Sequence, residues 1–106
     1  MNIDETKPTQ TEDELYRQDG ATFSSITARI SPDGTLVISG YDIGPSCQEV
    51  FSHDDVESEV TVASKCKDTL LLALLKAQFG GDGRASGRFR TFLNAEKIPY
   101  DFDTWP

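Results

Sequence analysis

The sequence predicts an α+β fold of two layers, in which an antiparallel sheet of about four strands carries two helices on one face, in the order β-β-β-α-α-β. Three observations support this. Two β-rich segments flank a Pro-Asp-Gly turn, apolar and acidic residues alternate after residue 55, and two segments of helical periodicity are separated by the run GGDG. The 106 residues suffice for one core, so we expect a single domain over residues 21–106.

Residues 1–20 are expected to precede that domain as a disordered acidic arm. They contain six carboxylates and two basic residues, with almost nothing apolar. A segment of this composition buries too little apolar surface to offset the entropy of ordering its chain. The run EDELYR is also too short for a helix that is stable by itself in water.

A hairpin is the first element predicted after the arm. The segment TFSSITARI is rich in β-branched residues and places Ile26, Ala28 and Ile30 on one face. Residues 32–34 have the types that suit successive turn positions, and TLVISG then resumes the alternation. The glycines and the proline of GYDIGPSC are expected to end the second strand in an irregular connection.

The segment VESEVTVA predicts a third, half-buried strand, because its residues alternate in polarity. The face expected to point towards the helices contains Val56, Ser58, Val60 and Val62. Glu57 and Glu59 then lie on the opposite, solvated face. This position argues against acid/base chemistry, which needs a carboxylate whose pKa is changed by burial or by a neighbour.

Two helices are predicted next. Ser64 is expected to be the N-cap of a helix over KCKDTLLLALLKAQF, whose leucines occupy nearly its whole circumference. Such a helix needs cover from two directions, by the sheet and by the next helix or a second copy of the chain. GGDG ends it, and SGRFRTFLNAEK predicts an amphipathic helix with Phe89, Phe92 and Leu93 in one stripe. The final IPYDFDTWP suits a last strand at a sheet edge.

The charge balance restricts the choice of partners. Eighteen acidic residues against ten basic ones give a formal net charge of −8. A protein of this charge repels phosphate backbones and anionic lipids, so we expect neither a nucleic acid nor a membrane as partner. A basic protein surface is favoured as the partner, because opposite charges raise encounter rates. The alternative is that the negative charge only keeps the protein soluble.

The sequence also predicts a cytoplasmic protein. No apolar run approaches the length of about 18 residues that a membrane span requires. The N-terminus begins acidic and lacks the basic and apolar regions of a secretory signal. Cys47 and Cys66 are too few for a disulfide framework and are expected to be reduced thiols, although a bridge between them stays open.

No metal or cofactor site is predicted. The run HDDVESEV combines His53 with four carboxylates. Zinc requires three or four converging ligands, and the chain has one histidine. A calcium-binding EF-hand requires a central glycine and a closing glutamate, both of which this run lacks.

Two further features suggest chemistry but are better explained structurally. Cys66 lies in the first turn of the predicted helix, where the helix dipole and neighbouring lysines would lower its pKa, yet we interpret it as a small apolar residue under the helix. GGDGRASG is similar to a phosphate-binding turn but follows a helix rather than a strand. Arg84, Arg88 and Arg90 are therefore interpreted as a solvated basic face.

The distribution of charge predicts a protein-binding function. Residues 42–59 contain six acids and no Lys or Arg, whereas residues 84–97 contain four bases and one acid. The predicted partner-binding residues are Asp42, Asp54, Asp55, Glu57, Glu59, Asp101, Asp103 and Trp105. Carboxylates beside an exposed aromatic often anchor an interface, and the most concrete form is an immunity or inhibitor protein against a basic enzyme.

Two alternatives stay open. An enzyme or metal-binding protein could bring carboxylates together from separate segments, such as Asp42, Asp54 and Asp101, because sites are built in space rather than along the chain. A homo-oligomeric structural protein could use the leucine-rich helix as its interface. For a binding protein, we expect a monomer or a weak homodimer.

Three segments carry a resemblance to known sequences. DGTLVISGYDIGP, TLLLALLKAQFG and FRTFLNAEKIPYDF together resemble a group of short, acidic, mainly bacterial hypothetical proteins, over roughly residues 22–106. The resemblance implies a compact bacterial cytoplasmic protein. It carries over no functional residue.

Overall fold

A computed structural model describes residues 11–45 and 55–105 of the chain. Contacts within the chain divide these residues into two compact units. The part up to Lys67 contains the strands, and the part from Asp68 onwards contains most of the helical residues. The single domain predicted over residues 21–106 stays a prediction.

The strand-containing unit is an open, four-stranded antiparallel sheet. In the described residues its strands are β1 (Glu12–Gln18), β2 (Phe23–Ile30), β3 (Leu36–Ile43) and β4 (Asp55–Val62), which lie side by side in chain order. Each strand pairs with the next, so β1 and β4 are the two edges. The predicted α+β class is confirmed, but the element order is β-β-β-β-α-α. The expected packing of both helices on one face of the sheet stays a prediction.

β1 contradicts the prediction of disorder for residues 12–18 only, because the strand occupies this part of the predicted N-terminal arm. All its pairing partners in the described residues belong to β2, the next strand along the chain, so its order depends on that pairing. The register shifts between Glu14 and Tyr16, which is the mark of a β-bulge. The bulge interrupts the alternation of side chains, so the strand lacks the two-residue period by which a sequence predicts strands.

β2 and β3 form the predicted hairpin, and the predicted turn residues connect them. The Ser31 N–H donates to the Thr35 carbonyl at 2.8 Å, and the Gly34 N–H donates to the Ser31 carbonyl at 2.8 Å. The Asp33 carboxylate accepts the Thr35 N–H at 3.0 Å. Gly34 has a φ of 90°, which favours glycine. The hairpin prediction is therefore confirmed, including its turn.

β3 continues to Ile43, so the prediction of an irregular connection is wrong for residues 40–43. Gly40 lies inside the strand, opposite Ser58 of β4. A Cβ at this position would lie 2.6 Å from the Ser58 Oγ. The glycine therefore gives room to a neighbouring side chain instead of ending the strand.

The sheet has an apolar face and an acidic face, and the alternation predicted for β4 is confirmed by its register with β3. The apolar face contains Ile26, Ala28, Ile30, Leu36, Ile38, Val56, Val60 and Val62. The acidic face contains Glu12, Glu14, Asp55, Glu57 and Glu59, together with Arg17, Arg29 and Val37. Among the described residues, Val37 is the only buried hydrophobic residue, at 4% exposure. The most buried position therefore lies on the face that the sequence assigns to solvent.

A 3₁₀ turn (Ser64–Cys66), α1 (Lys67–Phe79) and α2 (Ala85–Ala95) follow β4. Both predicted helices are confirmed, but Ser64 is not the N-cap. Helical backbone begins at Ser64 itself, and Ala63 occupies the cap position without a side-chain hydrogen bond. Within the described residues, neither helix has the length and apolar character that a bilayer crossing requires.

α1 and α2 face each other across an apolar groove. Phe79, at the end of α1, and Phe89 of α2 pack edge to face, with ring centroids 5.9 Å apart and ring planes at 77°. Leucines continue round α1, and Leu71, Leu72 and Leu74 are each more than half exposed. The second helix therefore covers part of α1 and leaves these leucines open to solvent.

Residues 98–105 form no strand, so the last strand predicted at a sheet edge is wrong. The chain turns after α2 at Lys97, which has the left-handed φ of 58°. Pro99 then lacks the N–H that a sheet ladder requires. Phe102 lies instead beside the Arg90 guanidinium, whose carbon is 3.9 Å from the ring centroid. The fourth strand of the sheet is supplied by β1.

Candidate protein-binding surface

The acidic face is formed by two strands at opposite edges of the sheet. β4 contributes Asp55, Glu57 and Glu59 in one row, because alternate residues of a strand share a face. β1 contributes Glu12 and Glu14 at the other edge. All five residues are exposed. The sheet therefore presents carboxylates to solvent on both sides of its central strands.

An ion pair crosses the middle of the acidic face. The Arg29 Nη2 atom of β2 lies 3.7 Å from the Glu59 Oε2 atom of β4, and β3 lies between the two strands. The two side chains must therefore extend over β3, where Val37 is the direct neighbour of Arg29. Both side chains are at least 40% exposed, so water screens the pair and its charges contribute little stability.

β3 and β4 line a depression of about 540 Å³ next to this ion pair. Its lining residues are Ser39, Gly40, Tyr41, Glu57, Ser58 and Glu59. The depression is open to solvent, and both glutamates are exposed. Hydroxyl and carboxylate oxygens accept hydrogen bonds from lysine and arginine side chains. This part of the surface therefore suits a basic side chain that approaches from outside.

The structure describes seven of the eight predicted partner-binding residues, four of them in the sheet and three in the helical unit. Those that lie together on the acidic face are Asp55, Glu57 and Glu59. Asp42 lies on the apolar face, opposite Val56, and accepts a hydrogen bond from the Ser24 hydroxyl. It is therefore not part of the acidic face, because the register of β3 turns it to the other side.

The other four predicted residues are not part of the described sheet. Asp101, Asp103 and Trp105 belong to the helical unit and are exposed, Trp105 by 80%. Asp54 lies outside the described residues. Of the three carboxylates suggested for an enzyme, the structure describes two. Asp42 lies in the sheet, and Asp101 belongs to the helical unit.

Sequence reasoning missed three residues of this surface. Glu12 and Glu14 fall in the segment predicted to be disordered, and Tyr41 falls in the segment predicted to be an irregular connection. The signal for Tyr41 is its spacing of two residues from Ser39 and Ile43, which continues the alternation of β3. The two glutamates have no such signal, because Asp13 between them is also acidic.

Only some of the residues considered for metal binding or catalysis are described by the structure. Within residues 11–45 and 55–105, no three His, Cys, Asp or Glu side chains lie close enough together to hold a metal ion. His53 and Cys47 lie outside these ranges. Cys66 is an exposed free thiol in the 3₁₀ turn, so its interpretation as a small apolar residue under the helix is wrong.

Asp82 already occupies the start of α2, where the sequence suggests an anion-binding turn. Its Oδ1 accepts the Arg84 backbone N–H at 2.8 Å, and its Oδ2 accepts a hydrogen bond from Arg88 Nη1 at 2.7 Å. The Arg88 guanidinium also lies over the Phe79 ring, 5.4 Å from its centroid. The side chains of Arg84 and Arg88 are nevertheless 87% and 47% exposed, which agrees with the predicted solvated basic face at these two positions.

The Arg88 side chain, followed by the Arg84 N–H, holds the pKa of Asp82 below its usual value of 3.8. Because the pKa is lowered in the folded state, this stabilising interaction is complete above the unfolded value and is lost as the pH falls through the folded value. We expect Arg88→Ala to raise the pKa of Asp82 towards 3.8, measured by carboxyl-carbon NMR during an acid titration.

Asp33 is the matched control for this titration. The Thr35 N–H that it accepts lowers the pKa of its carboxyl, and this contact is independent of Arg88. Its titration should therefore be the same in the native chain and in Arg88→Ala. An unchanged pKa of Asp82 in the variant would show that the arginine does not form the contact in solution.

Comparison with known proteins gives no relative from which a function could be transferred: no family model, no curated protein and no solved structure matches the chain. The features of the described residues that bear on function are the row of carboxylates on β4, the open depression beside it and the position of this strand at a sheet edge.

Proposed function

We propose that the chain is a small, non-enzymatic protein-binding protein that contacts a basic partner through the acidic face of its sheet. The observation that carries this proposal is the row Asp55, Glu57 and Glu59 on the exposed edge strand β4. An immunity or inhibitor protein that blocks a basic enzyme is the most concrete form. The proposed protein acts in the cytoplasm, without a cofactor, as a monomer or a weak homodimer.

The charges of the edge strand support this proposal. Glu59 forms an ion pair with Arg29, whereas Asp55 and Glu57 form no ion pair with any described residue. Carboxylates without an internal counter-charge create a negative potential that attracts arginine and lysine side chains. The net charge of −8 acts in the same direction at long range.

A homo-oligomeric role is the second candidate, favoured by the exposed leucines of α1. Leu71, Leu72 and Leu74 form a cluster of large apolar side chains of the kind that marks interfaces between subunits. A second copy of the chain would cover them without any basic partner. Analytical ultracentrifugation distinguishes the roles, because a mass that stays monomeric at every concentration excludes this candidate.

Glu57→Lys is expected to weaken binding of the basic partner about ten-fold or more, because it places two like charges against each other in the interface. The affinity of the native chain should also fall as the ionic strength rises. The partner would be captured from source cells with the native chain, identified by mass spectrometry and titrated by calorimetry against both chains.

Glu96→Lys is the matched control. Glu96 is an exposed residue at the end of α2, and its replacement changes the net charge by the same amount. It should leave the affinity nearly unchanged. Equal weakening by both substitutions would assign the effect to net charge and contradict a role for the acidic face, as would binding that is independent of salt.

A further inference from the structure

Among the described residues, β4 is an edge strand whose outer hydrogen-bonding side pairs with no other strand. Its eight residues, Asp55–Val62, pair with β3 in one uninterrupted register, and β3 is its only neighbour among the described residues. In an antiparallel pair, alternate residues direct their N–H and C=O groups towards the partner strand, and the others direct them away. About half of the backbone groups of β4 are therefore directed away from the sheet.

The other edge of the sheet is protected in a way that β4 is not. β1 contains the bulge between Glu14 and Tyr16, which twists and interrupts an edge. Its Arg17 is bonded to Glu14 at 2.9 Å and lies over the Phe23 ring. β4 contains no proline, lysine or bulge, so its carboxylates are its only common device against the addition of another strand. Of the two edges, β4 is the one that can accept a strand.

The two rows of side chains on β4 define which strand fits beside it. The row on the acidic face is Asp55, Glu57 and Glu59, and the row on the apolar face includes Val60, which is 61% exposed. Directly opposite residues of adjacent strands share a face, and opposite charges there are favourable. The complementary strand therefore has Lys or Arg at alternate positions and aliphatic residues between them.

The same charges disfavour a second copy of β4 as the added strand. Its carboxylates would lie beside those of the first copy on one face, and like charges directly opposite each other are destabilising. The open depression at Tyr41 and Glu57 lies on the carboxylate side of β4 and offers space for a long basic side chain.

We propose that the basic partner adds an extended segment to β4 as a fifth strand, with alternating basic and aliphatic residues. This inference rests on the proposed function and specifies how the partner is recognised. Backbone hydrogen bonds to the edge supply affinity, and the alternate rows of side chains supply specificity. The acidic face then selects the partner by charge, while the edge of the sheet fixes its conformation.

Synthetic peptides test this mode of binding against the full-length chain. The probe is an eight-residue peptide of alternating lysine and valine, and a peptide of the same composition with its lysines grouped is the first control. Two further peptides carry N-methyl groups, one on the lysine amides and the other on the valine amides. In a strand, one set of amides points to the neighbouring strand and the other to solvent.

Strand addition predicts that the alternating peptide binds about ten-fold more tightly than the grouped peptide, as measured by calorimetry. One N-methylated peptide should retain this affinity and the other should lose about ten-fold or more, since it lacks several backbone hydrogen bonds. Hydrogen exchange should slow at alternate amides of β4 in the complex. Glu57→Lys should weaken the alternating peptide, and Glu96→Lys should not.

The contrary results separate this inference from the proposed function. Equal affinities of the alternating, grouped and both N-methylated peptides, all reduced by Glu57→Lys, would overturn strand addition and leave the acidic binding face intact. Binding of the alternating peptide that Glu57→Lys does not change would contradict the role of the acidic face. Absence of binding by every peptide would overturn strand addition, and the captured partner would still test the proposed function.

Discussion

Val37→Ala is expected to lower the free energy of unfolding by about 2 kcal/mol, the sum of a lost transfer term and a residual cavity. Val37 is 4% exposed and lies on the inner strand β3, on the face where the Arg29 and Glu59 side chains form an ion pair. Backbone on both sides prevents the surrounding strands from collapsing into the space. Urea denaturation followed by circular dichroism measures the loss.

Val60→Ala is the control for this substitution, because it removes the same two methyl groups from a strand of the same sheet. Val60 lies on the apolar face of β4 and is 61% exposed. We expect a loss of about 0.5 kcal/mol, which reflects strand propensity alone. Equal losses of unfolding free energy at the two positions would show that the apolar face is covered in solution. A larger loss at Val60 would show that Val60, and not Val37, is the more buried of the two.

Gly44→Ala is expected to destabilise the sheet by about 3 kcal/mol, from backbone strain together with a steric clash. Gly44 follows β3 with a φ of 143°, a conformation that L residues with a side chain rarely adopt. A Cβ there would lie 2.7 Å from the Ala21 carbonyl oxygen and 2.7 Å from the Thr22 Cα. Both atoms belong to the backbone that leads into β2, so neither can move aside without shifting a strand.

Gly81→Ala separates the two contributions. Gly81 also has a positive φ, of 78°, but no atom lies within 4 Å of the place where a Cβ would be. Its substitution should cost about 1 kcal/mol, from the backbone conformation alone. A Gly44→Ala chain that is as stable as the Gly81→Ala chain would mean that the close approach of Ala21 and Thr22 does not persist in solution.

The predictions that succeeded depend on residues close together in the sequence. The hairpin of β2 and β3 follows from the turn residues Asp33 and Gly34, whose backbone requirements are local. The alternation of β4 follows from the pleat of any strand, which turns Glu57 and Glu59 to one face irrespective of the rest of the chain. For the same reason, three members of the candidate site could be predicted from the sequence.

The predictions that failed concern contacts without a local sequence pattern. β1 is ordered by its pairing with β2, and its bulge at Glu14 hides the pattern that predicts a strand. β3 continues through Gly40, where the Ser58 hydroxyl of the next strand occupies the space that a side chain would need. The last residues form no strand, since Phe102 contacts Arg90 and β1 supplies the fourth strand of the sheet. None of these contacts has a signature within a few residues of the affected position.

The sequence by itself determined the local structure: the turn at Asp33 and Gly34, the two helices and the orientation of the β4 side chains. Only the tertiary structure decided that β1 joins the sheet, that β4 lies at its edge and that Val37 is buried. The physical reason is the range of the interactions. Backbone dihedral preferences act over a few residues, whereas strand order and burial depend on which distant segments meet.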